Sequence, residues 1–173
     1  RWAYVSPRWI SQLMVRGLHD ERGGGQSRKH ANAASSELLY STSVKTNRYE
    51  MQWKNGFTLN ADHNTSIALM LHGSWHDADN MFGTTQYDVT QKNGYAQLMF
   101  ETDITENNNI SLGASLNHDY YDERFNPLGT LPTAESKVAK ETTPGLYAQY
   151  TYKLGESLTV MPGVRWDYSC LLY

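Results

Sequence analysis

The sequence predicts an all-β fold, namely an antiparallel transmembrane β-barrel segment of about seven strands from a larger barrel. The first observation behind this prediction is a two-residue alternation of apolar and polar residues that recurs along the chain. The second is the length of the alternating segments, because most of them are long enough for a tilted strand to cross a bilayer. The third is that the connections between these segments alternate between short turns and long polar stretches. Successive side chains of a strand point to opposite faces, so each segment has one apolar and one polar face.

The alternation is clearest near the end of the chain. Leu146, Ala148 and Tyr150 alternate there with the more polar Gln149 and Thr151. The same pattern predicts seven strands, at about residues 10–19, 46–59, 66–77, 94–105, 109–121, 146–154 and 158–168. Their apolar faces carry outward Trp and Tyr side chains near the predicted outer boundary, as the aromatic girdle of a membrane barrel does.

The connections between the predicted strands differ in length on the two sides of the sheet. Tight turns are predicted at residues 60–64, 106–108 and 155–156, and long polar loops at 20–45, 78–93 and 122–143. Short turns on one side and long loops on the other are typical of outer-membrane barrels, whose short side is periplasmic. Odd-numbered strands are therefore expected to run outward and even-numbered strands inward.

The predicted strand count bears on whether the barrel closes. Seven is an odd number, whereas bacterial single-chain barrels have an even number of strands and at least eight. An open sheet would leave unpaired backbone groups in lipid, which is very unfavourable. Residues 1–173 are therefore expected to form part of one outer-membrane β-barrel domain, with no plug-like segment before the first strand.

Composition excludes several other classes of protein. The net charge of −3 provides no basic surface for nucleic acid. The longest apolar run, residues 67–71, is far too short for a membrane helix. A single cysteine, Cys170, excludes an internal disulfide framework. Twelve Tyr and five Trp residues in a chain that is hydrophilic on average suit a transmembrane barrel.

Acidic residues cluster where the predicted strands end on the long-loop side. A His-Asp step recurs at His19, His76 and His118, and more acidic residues follow each one. Clustered carboxylates on neighbouring loops suit Ca²⁺, although a solvated rim is an alternative. General acid–base catalysis is a third interpretation of these residues. No nucleophile motif accompanies them, so no enzyme is predicted. The predicted ligand-binding residues, on extracellular loops, are Asp77, Asp79, Asp119, Asp122 and Glu123, and the predicted calcium ligands are Asp77, Asp79, Asp119 and Asp122.

Two other motifs are assigned ordinary roles. His72 and His76 have the spacing of a metal pair on a helix, but on a strand they share the lumen face without the glutamate of a zinc protease motif. Polar residues lining an aqueous lumen explain them better. The three glycines at 23–25 lack the spacing and the strand–turn–helix context of a phosphate loop, so they predict a flexible extracellular loop.

Several stretches resemble the barrel of TonB-dependent outer-membrane receptors of the vitamin B12 and siderophore type. They are residues 17–26, 48–57, 145–152 and 161–168, and the last two form a hairpin that looks typical of the middle of that barrel. Members of this family have an N-terminal plug inside a barrel of about 22 strands and a short segment that contacts TonB. The resemblance implies that this chain is a middle piece of such a barrel.

The resemblance also implies a function. The chain would be the barrel portion of an active-transport receptor in the Gram-negative outer membrane, taking up a scarce ligand such as cobalamin or an iron-siderophore. Its partners would be the lipid bilayer, the small-molecule ligand, and TonB through a plug outside this chain. Some cobalamin-type relatives hold Ca²⁺ in acidic outer loops, and Asp77, Asp79, Asp119 and Asp122 are the nearest candidates here. A passive outer-membrane porin and an outer-membrane barrel enzyme are the alternatives.

Overall fold

The predicted antiparallel, all-strand fold is confirmed by a computed structural model, which describes residues 1–26, 40–127, 135–155 and 157–172. None of these residues belongs to a helix with the length and apolarity of a membrane span. The strands of the described residues are β1 (Trp2–Val5), β2 (Trp9–Gly25), β3 (Ser41–Asn60), β4 (Thr65–Phe82), β5 (Thr85–Thr105), β6 (Asn108–Pro127), β7 (Glu135–Leu154), β8 (Leu158–Val160), β9 (Gly163–Asp167) and β10 (Cys170–Leu172).

Neighbouring strands in the chain are also neighbours in the sheet, which has the order β1-β2-β3-β4-β5-β6-β7-β10. The short strands β8 and β9 also pair with β7, so β8, β9 and β10 together line its free side. Within the described ranges β1 pairs only with β2, and the sheet is therefore open. Because β1 adds a strand position that the alternation did not predict, the odd count of seven no longer applies.

The last predicted strand, residues 158–168, is interrupted. Pro162 lies between β8 and β9 and has no backbone N–H to donate to the neighbouring strand. Its carbonyl still accepts a hydrogen bond from the backbone N–H of Tyr150 at 3.0 Å. Residues 158–168 therefore follow β7 as two short strands instead of one continuous strand.

Strands β2 to β7 are 17 to 21 residues long, about twice what a bilayer crossing requires. The predicted tight turns between β3 and β4 and between β5 and β6 are present; in the third, Glu156 lies outside the described residues. The predicted long loop at residues 78–93 is wrong. Strand β4 continues to Phe82 and β5 begins at Thr85, with Gly83 at a φ of 63° in the two-residue turn between them.

The other two predicted loops are also shorter than expected. β2 and β3 extend into 20–45, and β6 and β7 extend into 122–143. Their remaining parts, residues 27–39 and 128–134, lie outside the described residues. The sheet therefore continues well beyond the membrane-crossing segments on this side, and we call these parts of β2 to β7 the strand extensions.

The pairing register separates an apolar face from a polar face, as the alternation predicts. The apolar face includes a row in which Leu69, Leu98, Ala114 and Leu146 are successive partners across β4 to β7. We call the outward apolar residues at this level, from Ile110 to Leu116 on β6, the apolar belt. Leu98 is 47% exposed and Leu146 is 57% exposed, because among the described residues no second layer covers this face.

The opposite face is polar and corresponds to the lumen side of a barrel. Gln52, His72, Tyr95 and Asn117 are successive partners across β3 to β6 on this face. It contains ion pairs, including the contact between Arg48 and Glu50 at 2.6 Å. The two-faced ribbon inferred from the sequence is therefore the arrangement in the structure.

A row of aromatic and basic side chains marks the end of the apolar belt on the side of the strand extensions. We call it the boundary row, and its successive partners across β3 to β7 are Tyr49, Trp75, Lys92, Tyr120 and Lys140. The rings of Tyr49 and Trp75 stack with centroids 5.5 Å apart. Amphipathic rings at this level are typical of the interface between lipid and water.

Candidate functional site

All five predicted ligand-binding residues lie on strand extensions instead of loops, which corrects the prediction. Asp77 and Asp79 belong to β4, and Asp119, Asp122 and Glu123 belong to β6. Strand pairing continues past the boundary row because backbone hydrogen bonds do not require an apolar face. A fixed sheet therefore positions these carboxylates.

The register divides the five residues between the two faces. Asp77 and Asp122 are both partners of Thr90 on β5, so they lie on the outward face, two strands apart. Thr90 donates a hydrogen bond from Oγ1 to Oδ1 of Asp77 at 2.7 Å. Arg124 forms an ion pair with Asp122 at 3.2 Å. These contacts hold both carboxylates just beyond the boundary row.

Asp88 is a further acidic residue of this outward group that the sequence analysis missed. It is the register partner of Asp79 on one side and of Arg124 on the other. Within the described ranges, Oδ1 of Asp88 and Oδ1 of Asp122 are buried and accept no hydrogen bond. A hairpin centred on Gly83 and Thr84 places Asp88 opposite Asp79, and the sequence analysis had assigned this segment to a loop.

Asp119 and Glu123 face the lumen side. Asn93 donates a hydrogen bond from Nδ2 to Oδ1 of Asp119 at 2.7 Å, and Asn117 donates to its other oxygen. Glu123 lies near the phenol of Tyr87. Burial, together with the charge and hydrogen bond of Glu123, raises the pKa of Tyr87 above its ordinary value. Both carboxylates therefore belong to polar networks that line the inner wall of the strand extensions.

The four predicted calcium ligands are not brought together. Asp119 lies on the opposite face of the sheet from Asp77, Asp79 and Asp122. In the part of the chain that the structure describes, no three His, Cys, Asp or Glu side chains come close enough to hold a metal ion. The calcium site stays a prediction, and Asp119 does not fit with the other three.

His72 and His76 lie on the lumen face, in agreement with their assignment as lumen-lining residues. Four residues along a strand span about 13 Å, which is too far for two side chains to share a metal ion. His72 pairs in register with Tyr95, and His76 pairs with Gln91. These neighbours are polar, as an aqueous wall requires.

A compact polar cluster lines the lumen face where β9 meets β7. Arg165 donates hydrogen bonds to Asp167 at 2.7 and 2.8 Å and lies 3.5 Å from the hydroxyl of Ser115. A Cβ at Gly145 would approach Oδ1 of Asp167 to 2.2 Å, so glycine allows this close approach. The cluster holds the ion pair of Arg165 and Asp167 on the inner wall, at the depth of the membrane.

The open antiparallel sheet, with its outward apolar belt and polar inner face, defines part of the wall of a transmembrane β-barrel. A family model described as TonB dependent receptor-like, beta-barrel, matches residues 8–169. The chain belongs to this family, whose members are outer-membrane receptors. A search of curated proteins found no match.

Proposed function

We propose that this chain forms the wall of an active-transport receptor that takes up a scarce ligand, such as cobalamin or an iron-siderophore, with TonB-coupled energy. The match of the TonB-dependent receptor barrel over residues 8–169 carries the proposal. The polar lumen face supports it, because a receptor wall must offer hydrogen-bonding groups to whatever occupies the barrel. The energy would reach the barrel from TonB through a plug outside this chain.

Ligand capture is assigned to the inner wall of the strand extensions. Asp119 and Glu123 face this space, and Tyr121 lies between them on β6 with its hydroxyl accepting a hydrogen bond from Gln91 at 2.6 Å. Carboxylates, amides and a phenol together can bind a polar ligand by hydrogen bonds and by stacking. Because they lie on paired strands, they are held in place before the ligand arrives, which lowers the entropic cost of binding.

We propose as a second point that calcium binds on the outward face of the strand extensions. Asp77, Asp79, Asp88 and Asp122 provide carboxylate oxygens, the ligands that Ca²⁺ prefers, and two of these oxygens lack a hydrogen-bond donor. Binding would require these side chains to move together around the ion. We expect calcium to raise the thermal stability of the full-length protein and the Asp122→Asn variant to lose that response.

Transport is tested in cells that lack their own receptors and express the full-length protein. We expect saturable uptake of one labelled cobalamin or siderophore, and we expect this uptake to disappear when TonB is deleted. Uptake that rises linearly with concentration and continues without TonB would instead identify a passive porin.

The assignment of ligand capture to the inner wall is tested by two variants, Asp119→Asn and Glu123→Gln. We expect each variant to weaken ligand binding to intact cells about tenfold, as the loss of a charged hydrogen bond does. Glu106→Gln, in the exposed turn at the other end of the barrel, is the matched control and should bind normally. Equal binding by all three variants would place ligand capture elsewhere.

A further inference from the structure

Two lysines of the boundary row share one aromatic ring. Nζ of Lys92 lies 5.6 Å from the ring centroid of Tyr120, and Nζ of Lys140 lies 5.8 Å from it. The two lysines come from β5 and β7, the strands on either side of Tyr120 on β6. Tyr120 therefore contacts two ammonium groups on the outward face, one from each of its neighbouring strands.

Neither ammonium group is in direct contact with a carboxylate. Among the described residues, Lys92 and Lys140 form no ion pair within 4.0 Å. By contrast, Lys45 and Arg124, which also lie on the outward face, do form ion pairs, Lys45 with Glu21 at 3.1 Å and Arg124 with Asp122 at 3.2 Å. The next row toward the strand extensions contains two acids, Asp77 and Asp122. Each of them contacts a residue other than the two lysines, because Thr90 donates to Asp77 and Arg124 pairs with Asp122.

The paired lysines lie at the depth of lipid headgroups. Tyr120 follows Ile110 by ten residues on β6, which corresponds to about 34 Å along a strand and about 24 Å along the membrane normal at a tilt of about 45°. The apolar band of an outer-membrane barrel is about 25 Å tall. With Ile110 at one edge of such a band, Tyr120 therefore lies at the other edge, beyond the apolar belt.

A shallow recess lies between the lysines and the belt. Gly73 and Gly94 are register partners on the outward face, one row from Trp75 and Lys92 toward the belt. A Cβ at Gly94 would meet no atom within 4 Å, and one at Gly73 would meet only a backbone oxygen at 4.0 Å. The recess leaves room for part of a lipid below the two ammonium groups.

We propose that Lys92, Lys140 and Tyr120 form a binding site for the phosphate headgroup of an outer-leaflet lipid, with an acyl chain lying over Gly94 and along the apolar belt. Ammonium groups bind phosphate as point charges, and a phosphate group beside the Tyr120 ring is attracted by both lysines. The adjacent belt favours a lipid over a free anion, because it binds the acyl chains at the same time. The site concerns contact with the membrane and does not depend on which ligand the receptor transports.

The experiment measures lipid retention by the full-length protein in detergent, using native mass spectrometry. The probes are phosphorylated lipid A, the same lipid after enzymatic dephosphorylation, and inorganic phosphate. We expect the protein to retain the phosphorylated lipid at least tenfold better than the dephosphorylated one. We also expect millimolar inorganic phosphate to compete poorly, since it has no acyl chain.

Substitutions of Lys92 and Lys140 test whether these two lysines bind the lipid. Lys92→Gln combined with Lys140→Gln should reduce retention at least tenfold, whereas Lys45→Gln, farther from the belt, should leave it unchanged. Lys92→Arg combined with Lys140→Arg should keep the binding, which separates loss of charge from loss of folding. Unchanged retention by the double glutamine variant would overturn the proposal. Displacement of the lipid by equimolar inorganic phosphate would also overturn it, in favour of a soluble-anion site.

Discussion

Asn64 donates a hydrogen bond from Nδ2 to Oδ2 of Asp103 at 2.6 Å, and this bond joins the turn between β3 and β4 to the end of β5. Asn109, at the start of β6, donates to the other carboxylate oxygen at 2.7 Å. The backbone N–H of Asp103 also donates to the carbonyl of His63 at 2.8 Å. The carboxylate of Asp103 therefore links the β3–β4 turn to the two strands that flank the β5–β6 turn.

This relationship predicts a pH dependence of stability. The hydrogen bonds from Asn64 and Asn109 lower the pKa of Asp103 below its ordinary value. A carboxylate whose pKa is lowered on folding stabilises the protein above its unfolded pKa of about 3.9, and this stabilisation disappears as the pH falls through the folded pKa. We therefore expect Asp103→Asn to be less stable than the wild-type protein at about pH 6 and the difference to shrink below about pH 4.

The measurement is denaturant unfolding of the full-length protein in detergent, followed by tryptophan fluorescence across this pH range. Asp62→Asn, an exposed neighbour in the same turn, is the control and should show little difference at either pH. A stability difference for Asp103→Asn that stays constant with pH would contradict the assignment.

Adjacent residues of β5 test the two faces of the wall. Leu98 lies in the apolar belt and Gln97 lies on the lumen face. Leu98→Arg should destabilise the barrel by about 2–4 kcal/mol, because arginine would enter the lipid core, and Gln97→Arg should cost little. Since a soluble barrel would also be destabilised by a buried arginine, a fluorophore at each position is needed as well. Quenchers on lipid acyl chains should dim it at position 98 and barely affect it at 97.

The contact between Trp53 and Ser11 makes a third prediction. The indole Nε1–H of Trp53 donates to the hydroxyl of Ser11 at 3.1 Å, on the outward face at the level of the apolar belt. Ser11→Ala removes the acceptor and should cost about 1–3 kcal/mol of unfolding free energy, as an unsatisfied buried donor does. In a Trp53→Phe background the same substitution should cost much less. Equal costs in both backgrounds would show that the hydrogen bond is not the cause.

Labelling of intact cells tests orientation. Thr84 lies in the tight turn of the β4–β5 extension, and Asn107 lies in the turn at the opposite end of β5. In a Cys170→Ser background, a cysteine at position 84 should react with a membrane-impermeant maleimide, whereas one at 107 should react only after lysis. Labelling of position 107 in intact cells would reverse the orientation.

The sequence predicted the faces of the wall where lipid is on one side and water on the other. Leu112, Ala114 and Leu116 alternate with polar residues because the two environments differ, and the register confirms their common face. Beyond the boundary row both faces meet water, so the apolar half of the pattern ends although the strands continue. For this reason the paired residues 78–93 looked like a loop.

The candidate site was predicted by residue type but not by arrangement. The clustered acids put Asp77 and Asp122 at one rim, and both are register partners of Thr90, but their binding role stays a prediction. The predicted strand ended at residue 121, so the two-residue periodicity that separates Asp119 from Asp122 was not carried on to Asp122. The same omission concealed Asp88, because its position opposite Asp79 follows only from a hairpin centred on Gly83 and Thr84.

The two-residue turn at Gly83 and Thr84 has an evolutionary consequence. A long loop can change its shape when residues are inserted or replaced, whereas a paired hairpin keeps its backbone while its side chains vary. A substitution on this hairpin therefore changes the charge, size or polarity of one side chain while the backbone positions of its neighbours stay the same. A new specificity at this rim can arise through single substitutions, each tested by selection on an unchanged scaffold.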